Sequence, residues 1–172
     1  EEPWNQNYNM YSYITEELYE LILNKFPLDN NRIGIFGHSM GGHGALTIYL
    51  KNKDKFQSVS AFAPIVSPLN CPWGHKALSN YLGEDRATWA KYDACALISA
   101  GGNVTSSQPI LIDQGINDPF LESQLMPERF ESACEDVGQK LILRRHEGYD
   151  HGYFFISSFI EDHLKHHVKI LD

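Results

Sequence analysis

Cysteine is scarce and unpatterned in this chain: only Cys71, Cys95 and Cys134 occur among 172 residues, with no C-x-x-C pair. An odd, widely spaced set argues against a disulfide scaffold or a zinc ribbon and reads as free thiols in a reducing compartment. Positive charge is also short, with 14 Lys and Arg against 22 Asp and Glu and a formal net charge of −8. Without a basic stripe most of the surface repels a phosphate backbone, so nucleic acid is excluded as a partner. No apolar run approaches the roughly eighteen residues that span a bilayer, so no membrane association is expected and the chain reads as cytoplasmic. H-E-x-x-H, internal repeats and low-complexity tracts are all missing, which removes the helical zinc-protease motif and repeat architectures from consideration. Asn103-Val104-Thr105 fits the N-glycosylation pattern and reads as a chance match in a cytoplasmic protein.

What is present is an ordinary globular balance, 42% hydrophobic and 21% charged residues, enough for one domain with a proper core. Its most informative stretch is RIGIFGHSMGGHGALTIYL, Arg32 to Leu50. Arg32 to Phe36 is a short run with β-branched residues, a strand, and Gly42 to Leu50 reads as a helix with Ala45, Leu46 and Ile48 on its packing side. Between them Gly37-His38-Ser39-Met40-Gly41 fits G-x-S-x-G. In that strand-to-helix context the serine sits on a sharp turn with its Oγ exposed, and glycines let the two elements approach closely. The five letters alone occur by chance in glycine-rich loops; the flanking strand and helix make Ser39 a candidate nucleophile.

Along the rest of the chain strands alternate with helices. Met10 to Phe26 places Met10, Ile14, Leu18, Leu21 and Ile22 at helical spacing, and Pro27 ends that helix. Strands are expected at Phe56 to Ala63, at Pro109 to Asp113 and at Lys140 to Arg144, with helices over Phe120 to Cys134 and Tyr153 to Ile170. This rhythm predicts an α/β fold, a mostly parallel sheet with helices on both faces. The stretch from Ile65 to Ser107 interrupts it with Pro68, Pro72, Trp73 and Trp89, and is expected to form short helices, such as His75 to Leu82, over the C-terminal edge of the sheet.

An acyl-transfer serine needs a histidine to take its proton and a carboxylate to orient that histidine. Asp118, in Gly115-Ile116-Asn117-Asp118-Pro119-Phe120, follows the strand that ends at Asp113, the place where open α/β sheets meet ligands. It could equally cap the following helix, while Asp113 within the strand reads as structural. His151 lies on the turn between the last strand and the last helix, which suits a general base; the adjacent Asp150 is a weaker acid candidate. His38 and His43 flank the nucleophile and could line the site. His163 and His167, at i,i+4 on the last helix, have metal-ligand spacing but read as a solvated face, so no metal is expected.

Taken together, GHSMGGHGAL, SAFAPI, CPWG, LIDQG with Asp118 and Phe120 beyond it, EGYDH and the opening YNMYSYITEEL resemble the S-formylglutathione hydrolases (esterase D) of the α/β-hydrolase superfamily. The resemblance implies Ser39 as nucleophile, Asp118 as acid and His151 as base. It implies thioester hydrolysis of S-formylglutathione to formate and glutathione in formaldehyde detoxification, alongside carboxylesterase activity on small acyl esters. No cofactor is implied, and the family is cytosolic and often a homodimer. His38, Trp73 and Phe120 are the candidate substrate-binding residues. Asn117 and Gly152 depart from the pattern, where the family often has an acid and a serine. That fold has four strands before the elbow, on the order of 100 residues at about 30 per strand and crossover. Residues 1–172, opening on Glu1, are therefore expected to be the C-terminal portion of a single domain whose N-terminal half is missing. One oxyanion donor would be the Met40 N–H, and the second would lie outside this chain. The alternatives are a general carboxylesterase of the same fold or a noncatalytic hydrolase-fold binding module.

Overall fold

The computed structural model describes residues 1–101 and 108–171; the Asn103-Val104-Thr105 sequon lies outside them. In chain order α1 (Met10–Ser12) runs through a π-helical segment (Tyr13–Leu18) into α2 (Tyr19–Lys25), followed by β1 (Gly34–His38) and α3 (Met40–Lys51). Then come β2 (Ser58–Phe62), α4 (Pro72–Leu82), α5 (Arg86–Trp89), α6 (Ala94–Ala100), β3 (Ile110–Gly115), α7 (Pro127–Val137), β4 (Leu141–His146) and α8 (Tyr153–Leu171). The four strands lie in sequence order and all pair in parallel, with Gly37 opposite Ala61, Ser60 opposite Leu111 and Ile112 opposite Leu143. The expected parallel sheet between helices is therefore the observed fold.

Period-two alternation divides β2 and β3 between two very different faces. Val59, Ala61, Ile110 and Ile112 turn to one side, where they form a core with Leu46 and Ile48 of α3, Ile98 of α6 and Phe130 of α7. Ser58, Ser60 and Asp113 turn to the other side and meet α8. There the expectation of a solvated histidine face fails: His163 and His167 are buried. Asp113 accepts from Arg144 Nε and Nη2, at 2.6 and 2.5 Å, and lies 3.1 Å from His163 Nε2. The chain continues from His163 Nδ1 to Ser60 Oγ at 2.8 Å, on to His167 Nε2 at 2.9 Å, and from His167 Nδ1 to Ser58 Oγ at 2.6 Å. An ionised Asp113 can only accept, so the His163 Nε2 facing it carries a proton, and in the neutral ring Nδ1 accepts from Ser60. Ser60 then accepts from His167, whose Nδ1 accepts from Ser58. Every group in the row is satisfied with neutral rings.

That arrangement has a pH consequence. Burial pushes the His167 imidazole down from its ordinary 6.5 to about 4, helped by His166 and His163. Its folded-state affinity for a proton is thus lower than in the unfolded chain. The stabilisation is complete above pH 6.5 and is lost as pH falls towards 4, on the order of 3 kcal/mol from this one group. Urea midpoints should fall steadily from pH 7 to 4, and His167→Gln should flatten that slope; equal slopes in the two proteins would show that another group is responsible.

Two helix expectations need correction. Ile14 packs as expected, but Met10, Leu21 and Ile22 are exposed, and Tyr11 and Tyr19 join Ile14 on the packing face around the buried Thr15. The π-helical segment widens the turn there and rotates the buried stripe away from a plain 3.6-residue spacing. The span Phe120 to Cys134 is not one helix either. A π-helical turn (Leu121–Leu125) stops at Met126, which is left-handed at φ 45°, and α7 starts afresh at Pro127. Proline disfavours helical backbone in the residue before it and suits a first helical position, so the break falls where the chemistry puts it.

The interrupting stretch folds as α4, α5 and α6. Cys71 Sγ accepts from the Gly74 N–H at the start of α4, and buried Asp93 caps α6 through the Ala96 N–H while also accepting from Ser67 and Leu69. Among the described residues no helix is long and apolar enough to cross a membrane, and Cys71, Cys95 and Cys134 are all free thiols.

Candidate active site

β1 ends at His38 and α3 begins at Met40, so one residue must turn the chain from strand to helix. Ser39 does so at φ 57°, ψ −117°, a backbone conformation that costs a non-glycine residue about 1–3 kcal/mol. The turn is held from both sides: the Ser39 N–H donates to the Phe62 carbonyl at 2.9 Å, and its carbonyl accepts from His43 N–H at 2.9 Å. A Cβ on Gly37 would collide with the Gly41 carbonyl, which explains the first glycine of the motif. The second is different from expectation, since a Cβ on Gly41 would meet nothing; the close approach belongs to Gly42, packed on Pro64. Met40 is the first helical residue, so its N–H is one of the donors that an α-helix leaves without an internal partner. The Ser39 hydroxyl has no hydrogen-bond partner among the described residues.

Asp118 and His151 come together at the C-terminal ends of β3 and β4. Asp118 Oδ2 lies 2.5 Å from His151 Nδ1, while Oδ1 accepts the Phe120 N–H at 2.8 Å. The carboxylate therefore both closes its own turn and faces the imidazole, whereas the helix cap that the sequence also allowed is not formed: neither the π-helical turn nor α7 has a side-chain cap. Burial pushes the Asp118 carboxyl up, but the hydrogen bonds from His151 and Phe120, with that of Gln114, outweigh it and hold it below the ordinary carboxylate value. It stays ionised and keeps the His151 proton on Nδ1, which leaves Nε2 free to accept.

The loops carrying these two residues are fastened along their length. Ile116 N–H donates to the His146 carbonyl, Asn117 N–H to the Tyr149 carbonyl, and Gly148 N–H to Asn117 Oδ1 at 2.8 Å. Asn117 thus performs an acceptor role that an aspartate at that position could perform equally. A Cβ on Gly115 would collide with the Tyr149 carbonyl, so glycine is needed where the loops cross. Asp150 turns away and accepts the Gly152 N–H at 2.8 Å, and Asp113 is consumed by Arg144 and His163.

Of the other candidates, His38 lies tilted against the His151 ring, centroids 4.5 Å apart, and Phe120 meets it edge-on at 5.1 Å. Burial, then neighbouring His151, lowers the His38 pKa and favours its neutral form. Trp73 is turned to other partners: its ring meets His43 edge-on at 6.4 Å and its backbone N–H donates to Gln124 Oε1. His43 is engaged elsewhere through Nε2 and the Tyr92 carbonyl, 2.6 Å apart. Sequence reading missed Gln114, which donates to Asp118 Oδ2 at 3.3 Å. It lies in the LIDQG run, but no spacing rule marks a strand-end glutamine as part of a site. No group of three or more metal-ligating side chains occurs among the described residues.

Comparison with known proteins identifies the family. The esterase family model, described as "Putative esterase", matches residues 1–166. The S-formylglutathione hydrolases of Arabidopsis thaliana and Rattus norvegicus are each 54% identical over the whole of this chain, covering 60% and 61% of their own lengths. The chain thus spans about 60% of the length of the curated relatives it matches. A solved S-formylglutathione hydrolase from Agrobacterium tumefaciens, 53% identical, superposes on all of this chain and 61% of its own with a TM-score of 0.94. One from Staphylococcus aureus, at 22% identity and a TM-score of 0.72 over 94% of this chain and 63% of its own, shares the fold alone. With a family match over nearly its whole length, on a parallel sheet that presents Ser39 at a strand-to-helix elbow, the chain belongs to the esterase family and has an α/β-hydrolase fold.

Proposed function

We propose that the protein is a serine thioesterase that hydrolyses S-formylglutathione to formate and glutathione, the second half of glutathione-dependent formaldehyde removal, and that it also cleaves small acyl esters. The observation that carries this reading is the 2.5 Å contact of His151 Nδ1 with Asp118, with the His151 ring against His38, the residue before the strained Ser39 turn. The names of the most similar relatives supply the substrate. Ser39 Oγ attacks the formyl carbon as its proton passes to His151 Nε2, and the carbonyl oxygen gathers negative charge opposite the Met40 N–H. Collapse expels the glutathione sulfur, which takes the proton from His151 and leaves as the thiol. Water then attacks the formyl ester while giving a proton to His151, and formate departs as Ser39 regains its hydrogen. No cofactor is required.

The second oxyanion donor is assigned to a segment outside these 172 residues, consistent with the chain's spanning 60% of its relatives. His38 and Phe120 are assigned to the walls beside the base, where an acyl group would rest. The free thiols suit a reducing, cytosolic setting. The test is a comparison of kcat/KM on S-formylglutathione and on aryl acetates in the full-length protein. A preference for the glutathione thioester of at least tenfold supports this reading, and equal values would make the protein a general carboxylesterase.

A further inference from the structure

Gln114 closes β3 just before the turn that carries Asp118, and its side chain is buried. Its amide nitrogen donates to the Gly115 carbonyl at 3.0 Å and to Asp118 Oδ2 at 3.3 Å. That is the same carboxylate oxygen that holds His151. The other end of the amide, Oε1, is buried with no hydrogen-bond partner. Flipping the amide would aim Oε1 at two acceptors, so this orientation is chemically forced. A buried carbonyl left unpaired is costly, and an apolar side chain of the same volume would avoid that cost. What an apolar side chain lacks is the N–H directed at Asp118.

We propose that Gln114 is a positioning residue for the reaction, fixing the Asp118 carboxylate in the plane that meets His151 and limiting how strongly it stabilises the charged imidazole. The inference rests on the reading of Asp118 and His151 as acid and base. Three donors hold the carboxylate: Phe120 N–H on Oδ1, and His151 and Gln114 on Oδ2. Removing one of the two on Oδ2 frees the group to rotate and leaves that oxygen more basic. A more basic partner holds a proton on His151 more tightly, so the enzyme must reach a higher pH before its base is free. The other titratable side chains nearby are already committed or differently placed. His38 of β1 packs at a tilt against His151, Arg145 of β4 pairs with Glu131, His146 lies by Asp113, and Asp150 accepts from Gly152 N–H.

The test uses Gln114→Met in the full-length protein, which keeps side-chain length and removes the donor. The acid limb of its kcat/KM profile should move up by about half a pH unit, with kcat on the plateau about 3- to 10-fold lower and KM within twofold. An unmoved acid limb, whatever the loss in kcat, overturns the inference, because a merely structural defect lowers the amount of active enzyme without shifting its titration. The wild-type protein gives an independent readout if the variant fails to fold. The Gln114 side-chain amide proton facing Asp118 should titrate in NMR spectra with the same midpoint as the acid limb, and a flat shift across the limb overturns the proposal. Asp118→Asn separates the two levels: if it is inactive while Gln114→Met keeps the wild-type profile, only the role of Gln114 is wrong. If Asp118→Asn is fully active, the acid assignment falls and this inference with it.

Discussion

Replacing Ser39 with alanine should lower kcat by about 10⁴- to 10⁶-fold, the scale on which loss of a serine nucleophile acts in triad enzymes. The reaction has no other route to an acyl-enzyme: Oγ is the only group at the elbow that can form the ester, and His151 without it has only water to activate. The fold should be untouched. The hydroxyl makes no hydrogen bond among the described residues, and the positive φ of 57° is imposed by β1 and α3 rather than by the side chain. Ser39→Gly should go further and raise stability by about 1 kcal/mol, because glycine adopts such a conformation without strain while activity is lost equally. Stability and activity would then move in opposite directions at one residue, as expected where strain is kept for function. A fluorophosphonate should label wild-type protein stoichiometrically at Ser39 and leave Ser39→Ala unlabelled. Labelling at another serine, or more than one per cent residual activity in the alanine variant, would remove Ser39 from the mechanism.

How much of this was legible beforehand follows from how local each signal is. The elbow is local: a β-branched strand, five residues of motif and a helix lie within twenty positions, so Ser39 could be placed from the sequence. Asp118 and His151 are legible more weakly, each as a polar residue in the loop after a strand, and only the fold brings them to 2.5 Å. The buried row of His163 and His167 was read as solvated because polar groups at i,i+4 on a helix normally face water. What reverses that default is Ser58, Ser60 and Asp113, which give an otherwise apolar sheet a polar inner face. Those partners lie 50 to 109 residues away in sequence, beyond the reach of any periodicity. The N-terminal helix failed for a subtler reason, since a π-helical segment changes which residues share a face without changing composition. The break at Met126 is legible in the sequence, because Pro127 marks it. Gln114 had no signal at all: its role exists only through the position of another side chain's oxygen.

Asp118→Asn should lower kcat by roughly 10⁴-fold, by analogy with the corresponding change in the serine-protease triad, while leaving the fold within about 1 kcal/mol of wild type. Asparagine keeps an oxygen for the Phe120 N–H, so the turn survives. The atom facing His151 Nδ1 and Gln114 Nε2 then becomes an NH₂ group, a donor aimed at two donors. His151 resolves its side of the conflict by moving its proton to Nε2, the nitrogen that must be free to take the hydrogen of Ser39; the tautomer is wrong rather than the position. The neighbouring aspartates give the contrast. Asp150→Asn should retain most activity, since its oxygen only caps Gly152. Asp113→Asn should act mainly on stability, because it takes from His163 and Arg144 the buried carboxylate whose pKa their hydrogen bonds now hold at about 2 against the pull of burial. Measuring denaturation midpoints and kcat on all three separates the roles. An active, stable Asp118→Asn beside an inactive but stable Asp150→Asn or Asp113→Asn would move the acid to that other residue, and with it the orientation of His151 on which the proposed mechanism depends.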